Sequence, residues 1–156
     1  MILRYFNPIG AHQSGLIGES PLGIPNKLMP YILDVAAGVY PCMRVFGDDY
    51  QTPDGAGIRD YIHVMDLAEG HLSALGFLTK NHGWQVFNLG SGYGASVLDV
   101  INTFNKVNKL NVTYIVEPRR AGDLSEYFAS ADKAKNLLGW KVSRSLEEMC
   151  KSAWNW

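Results

Sequence analysis

Apolar positions recur along this chain with two periods, and the switches between them mark its elements. Ile2 to Phe6 is a short apolar and aromatic run that meets Asn7-Pro8, the pattern of a buried strand ending at a loop. Such a run at the very start predicts a chain that opens inside a longer protein, with earlier strands flanking this one. Asn7 to Pro25 is rich in glycine and proline and reads as a long loop. Asn26 to Ala37 follows as a helix: Pro30 is tolerated in the first turn, Ile32, Val35 and Ala36 make an apolar stripe, and Gly38 closes the end. Met43 to Phe46 is a strand, Gly47 to Gly57 a loop with two Asp-rich turns around Pro53, and Ile58 to His63 a strand again.

The longest helix is expected from about Val64 to Thr79. Val64, Leu67, Ala68, His71, Leu72, Leu75 and Leu78 are spaced to form a single buried face. Gln85 to Leu89 is the next strand. Ser96 and Asp99 form a capping box ahead of a helix with Val97, Val100, Ile101, Phe104 and Val107 inside. Val112 to Val116 is strand-like. A short helix from Ala131 to Leu138 stops at Gly139, and Ser145 with Glu148 caps a last one burying Leu146, Met149, Cys150 and Trp154. This alternation of strand and helix predicts an α/β domain.

Composition narrows the function classes. Of 156 residues 47% are hydrophobic and 19% charged, which excludes intrinsic disorder. With 14 basic against 15 acidic side chains the net charge is -1, so no electrostatic case exists for a nucleic-acid or acidic-membrane partner. Every apolar stretch breaks well before the ~18 residues of a membrane span. Cys42 and Cys150 have no CxxC or histidine partner and read as reduced, packed thiols, which favours the cytoplasm.

Three patterns carry candidate chemistry. Gly90-Ser91-Gly92-Tyr93-Gly94-Ala95, between a strand and a helix, fits GxGxxA, either a dinucleotide-binding turn or a βα turn that only needs close packing. The next strand runs into Pro118-Arg119-Arg120 instead of continuing in regular βαβ units, which weighs against the dinucleotide. Arg59, Arg119 and Arg120 lie at element boundaries, where a guanidinium can grip phosphate or pair with a carboxylate; Asp60 and Asp123 are near enough to supply that pairing. Phe46, Tyr61 and Tyr127 could stack on a base or a sugar, or belong to the core. His63 and Asp66 lack a third ligand for a metal, and His63 reads as a hydrogen-bonded helix start. No residue shows the signature of a catalytic base or nucleophile. These residues by themselves describe a ligand-binding α/β domain with a preference for phosphate.

Longer segments carry a resemblance. RYFNPIGAH (Arg4 to His12), IPNKLMPY (Ile24 to Tyr31), DGAGIRDYIHVMDLAEGH (Asp54 to His71), FNLGSG (Phe87 to Gly92) and RRAGD (Arg119 to Asp123) occur in the order found in the UDP-glucose 4-epimerase family of extended short-chain dehydrogenases/reductases. The match runs over essentially all 156 residues. The resemblance implies the C-terminal part of that fold: the last strand or strands of a Rossmann-type sheet plus a smaller mixed α/β substrate-binding domain. The family holds NAD on an N-terminal GxxGxxG loop and uses a Tyr-x-x-x-Lys pair to interconvert UDP-galactose and UDP-glucose through a 4-keto intermediate. Neither motif occurs in this sequence; Tyr40, with Arg44 four residues on, comes nearest. The implication is a UDP-sugar-binding half, inactive without an N-terminal NAD-binding half, in an enzyme that is commonly a homodimer. Alternatives are a dehydratase or decarboxylase on the same scaffold, or a truncated binding or interaction module.

Matched motif by motif, the resemblance implies that Asn7 bonds the UDP-sugar and Tyr5 sits near the nicotinamide. Leu28 would offer its backbone N–H to phosphate, with Lys27 replacing an asparagine expected beside the diphosphate. Arg44 and Phe46 would flank the uracil, Arg59 and Arg120 grip the diphosphate, and Asp123 bind a ribose hydroxyl. Tyr61 and Val97 would line the pocket, Tyr127 would limit the bulk at the sugar C2, and the GxGxxA turn becomes structural.

Overall fold

A computed structural model describes residues 1–156. Strand β1 (Ile2–Tyr5) pairs in parallel with only one neighbour, so its other edge is open. Ile2 and Tyr5 are therefore exposed, at 52% and 54%, where a buried strand is expected. The predicted loop at Asn7 begins instead with strand β2 (Asn7–Ile9), and irregular chain then leads to helix α1 (Leu28–Ala36), whose first turn holds the buried Pro30. Strand β3 (Met43–Phe46) and strand β4 (Ile58–His63) occupy the predicted ranges.

Helix α2 (Val64–Leu78) forms where expected but turns a different face inward. Its buried residues are Asp66, Leu67, Gly70 and Ala74, while Val64, Leu72, Leu75 and Leu78 stay in contact with solvent. Asp66 explains the rotation. Its carboxylate accepts from Ser143 Oγ at 2.9 Å and from the Arg144 N–H at 3.1 Å and pairs with the Arg144 guanidinium; its carbonyl accepts from Trp140 Nε1 at 2.9 Å. A charge buried with that many donors is held more tightly than a leucine stripe with nothing beside it.

Strand β5 (Val86–Leu89) pairs with β1 in the register Ile2 with Val86 to Tyr5 with Leu89. Strand β6 (Gly94–Ser96) leads into helix α3 (Val97–Asn108), where the Ser96–Asp99 capping box is complete and Val100, Ile101 and Phe104 are fully buried. Strand β7 (Tyr114–Glu117) pairs in parallel with β3. Strand β8 (Glu126–Tyr127), helix α4 (Asp132–Leu138) and helix α5 (Leu146–Asn155) complete the chain. Trp154, expected inside, is 39% exposed and rests edge-on against Phe104 at 5.9 Å.

Strand β4 ties the sheets together, taking β2 in parallel along Tyr61–His63 and both β6 and β8 along its first residues. It also separates two hydrophobic clusters. Tyr61 belongs to a larger one built from α1, β3, α3 and α5, and Ile62 to a smaller one with Leu67, Phe87, Leu89, Ala134 and Trp140. No helix is long and apolar enough to cross a membrane. Both cysteines are free, and burial pushes the Cys150 thiol up to about 12.

Candidate functional site

A cavity of about 760 Å³ opens where β2, β3, β4 and the start of α1 converge. Ten of the side chains expected to meet a ligand line it: Asn7, Lys27, Leu28, Arg44, Phe46, Arg59, Tyr61, Val97, Arg120 and Asp123. Strand geometry accounts for much of this, because alternate residues of a strand share a face. Arg59 and Tyr61 are two apart on β4, Arg44 and Phe46 two apart on β3, and Asn7 stands opposite Tyr61 in the β2–β4 register.

Charge distinguishes the cavity from the rest of the molecule. Lys27, Arg44, Arg59 and Arg120 line it with only Glu19 and Asp123 to oppose them, an excess of two positive charges on a chain of net charge -1. Arg59 spends Nη1 on the carbonyls of Ile58 and Leu124 at 2.8 and 2.9 Å, and its Nη2 lies 3.9 Å from Asp123 Oδ1. The other oxygen of Asp123 accepts from Arg120 Nε at 3.1 Å. One carboxylate therefore orients two guanidinium groups without neutralising both. Arg120 also lies over the Phe46 ring, 4.6 Å from its centroid. Asp60 is not the partner of Arg59, since it faces the opposite side of β4.

Helix α1 adds to this field. The first N–H groups of a helix have no intrahelical acceptor, and here Lys27 makes no side-chain cap and no acid stands in the first turn. That end is suited to an anion. Lys27 itself pairs with Glu19 at 2.7 Å while 62% exposed, a contact worth little in water. Burial raises the Tyr61 phenol well above its ordinary range, with Arg59 offsetting part of the shift, so it is a neutral hydrogen-bonding group.

Two expected residues lie outside the lining. Tyr127 is 53% exposed and packs against Phe6, ring centroids 5.2 Å apart; Phe6 does line the cavity, so Tyr127 stands one ring behind its wall. Tyr5 faces outward beside His71, centroids 6.1 Å apart. Arg119 is also elsewhere, paired with Asp49 and lying over the Tyr50 ring. Tyr50 lines the cavity, is buried, and has a hydroxyl with no partner; a tyrosine inside a turn-rich loop carried no signal of this in the sequence.

The glycine turn does not fit a dinucleotide pyrophosphate. Ser96 and Asp99 already cap α3, and the Ser96 hydroxyl donates to a second carboxylate, Asp54, so the helix start is filled by acids. Gly90 is required by packing, since a Cβ there would lie 2.5 Å from Asp60 Oδ2. His63 caps α2 through Nδ1, which accepts from the Met65 N–H at 3.0 Å. That leaves its proton on Nε2, which donates to Ser152 Oγ at 3.0 Å. Ser152 in turn donates to the Met149 carbonyl, so the pair has no base free to activate the hydroxyl.

Known proteins resemble this chain in sequence and fold. The family described as GDP-mannose 4,6 dehydratase matches residues 1–153. A UDP-glucose 4-epimerase of Neisseria meningitidis serogroup B is 54% identical over 156 residues, 100% of this chain and 46% of its own length. The crystal structure of a UDP-glucose 4-epimerase from Stenotrophomonas maltophila with bound NAD and formylated UDP-arabinopyranose superposes with TM-score 0.97 at 51% identity, covering 99% of this chain and 46% of that one. The enzyme from Bifidobacterium longum in complex with NAD+ and UDP gives TM-score 0.94 at 49% identity, with the same coverage. This chain spans about half the length of the curated relatives it matches.

Proposed function

The chain belongs to the family described as GDP-mannose 4,6 dehydratase, and from that premise we propose that it is the UDP-sugar-binding half of an NAD-dependent UDP-glucose 4-epimerase. The observation that carries this reading is the cationic cavity, with Arg59 and Arg120 oriented by Asp123 beside Phe46. In this reading the diphosphate lies against Arg59, Arg120 and the N–H of Leu28, with Lys27 leaving Glu19 to join it. The uracil lies between Phe46 and Arg44, Asp123 takes a ribose hydroxyl, and Tyr61 and Val97 bound the pocket. Asn7 bonds the UDP-sugar, and Tyr127 limits its bulk at C2.

NAD is held mainly by a part of those relatives that this chain does not span, and Tyr5 is the one residue here assigned to its nicotinamide. UDP-glucose and UDP-galactose are the substrates, and the complete enzyme is a cytoplasmic homodimer of galactose metabolism. Two free thiols and the absence of a membrane-length apolar helix support the compartment.

A calorimetric titration of the chain with UDP tests the reading. Arg59→Ala is expected to weaken UDP at least about tenfold, the loss of one charge-assisted contact. A wild-type chain that folds and does not bind UDP refutes it. Product analysis of the complete enzyme separates an epimerase from a dehydratase or decarboxylase on this scaffold.

A further inference from the structure

Asp60 is fully buried on β4 between two cavity residues, Arg59 and Tyr61, and has no cationic partner. Its carboxylate is instead the meeting point of three segments. Oδ1 accepts from the Ser91 N–H at 2.8 Å and the Ser91 hydroxyl at 2.6 Å. Oδ2 accepts from the Gly92 N–H at 3.2 Å and the Ala129 N–H at 3.0 Å. All acceptor capacity is directed at the glycine turn and at the residue two beyond Tyr127.

The segment is tied to β4 ahead of Tyr127 and less so beyond it. Strand β8 is two residues long and meets β4 through Ile58 with Glu126 and Arg59 with Tyr127, while the Ile58 N–H and Arg59 Nη1 donate to the Ser125 and Leu124 carbonyls just before it. Beyond it, the Asn88 amide donates to the Ser130 carbonyl at 3.1 Å. Phe6 backs the Tyr127 ring, but an aromatic contact at 5.2 Å constrains a side chain and not the backbone that carries it. The bond from the Ala129 N–H ends on a fully buried side chain, and hydrogen bonds in a dry site resist exchange with water.

We propose that Asp60 is a positioning residue for ligand specificity: through the Ala129 N–H it holds Tyr127 in place behind Phe6, which lines the cavity, and so sets the room available at the sugar. This rests on the reading of the cavity as a UDP-sugar site. Asp60 touches neither the ligand nor the cavity. It acts on the sugar end, through Tyr127, and not on the nucleotide end, where Arg59, Arg120 and Phe46 have supports of their own.

Asp60→Asn tests the assignment, because the amide keeps the volume and loses one acceptor, setting N–H against N–H at one of the two donor pairs. UDP, UDP-glucose and UDP-N-acetylglucosamine are titrated into wild type and variant. The expected result is UDP affinity within about twofold of wild type, with discrimination against the N-acetyl sugar falling at least about fivefold. An unchanged ratio between the two sugars, or a common loss for all three ligands, overturns the proposal. If Asp60→Asn does not fold, Ser91→Ala removes one donor from the same carboxylate. A smaller shift of the ratio in the same direction supports the proposal, and no shift overturns it. Failure of the wild type to bind UDP refutes the underlying reading instead and is seen before any variant is made.

Discussion

The guanidinium of Arg119 lies over the ring of Tyr50, 4.2 Å from its centroid, and Asp49 holds it there. The ring is thereby fixed while its hydroxyl, buried with it, finds no partner. A buried hydroxyl without a hydrogen bond costs folding free energy that a phenylalanine does not incur. Tyr50→Phe keeps the ring beneath the cation and is expected to raise stability by about 1 kcal/mol in urea unfolding. A loss of stability would show that the hydroxyl is bonded in solution.

Tyr127 stands behind Phe6, which lines the cavity, and in the proposed reading its ring crowds a substituent on the sugar. Wild type is expected to prefer UDP-glucose and UDP-galactose over their N-acetyl forms. Tyr127→Ser should narrow that preference by about tenfold or more while leaving UDP itself unaffected, since only the sugar end gains space. Equal binding of both sugar classes by the wild type would remove Tyr127 from this role.

Burial lowers the pKa of His63, and Arg144 adds to the shift. An unfolded histidine titrates near about 6.5, so between that value and the lower folded one the unfolded chain binds more protons. Stability then rises with pH across this window. It is complete above about 6.5 and erodes as pH falls through the folded value. Urea midpoints measured from about pH 7 down to about pH 5 should decline in wild type and less in His63→Gln, which cannot titrate. Parallel declines would assign the effect to other groups.

What could be read from the sequence divides along physical lines. Helices α3 and α5 were legible because their signals are local: Ser96 with Asp99 and Ser145 with Glu148 cap within three residues, and Val100, Ile101 and Phe104 repeat at helical spacing. The face of α2 was not, because Asp66 is buried by Ser143 and Arg144, nearly eighty positions away, and no periodicity reports such a partner. Strands β6 and β8 are three and two residues, Gly94-Ala95-Ser96 and Glu126-Tyr127, without the β-branched run that announces a strand. The cavity lining was reached through resemblance, with Arg59, Arg120, Phe46 and Tyr61 also suspected on their chemistry. Of the two carboxylates near enough along the chain to pair with these arginines, Asp123 does so and Asp60 does not, because neighbours on a strand point to opposite sides.

That opposition makes β4 a strand in which parity has meaning. Odd positions, Arg59 and Tyr61, serve the cavity, and even ones, Asp60 and Ile62, serve the turn behind it and the second hydrophobic cluster. Substitutions along it have graded effects, each confined to one side. Deleting or inserting a single residue would exchange the two sets at once, sending the Asp60 carboxylate toward the cavity and the Arg59 guanidinium toward the glycine turn. Changes of length are therefore excluded from these six residues, and the chain can accommodate them only in the loops on either side.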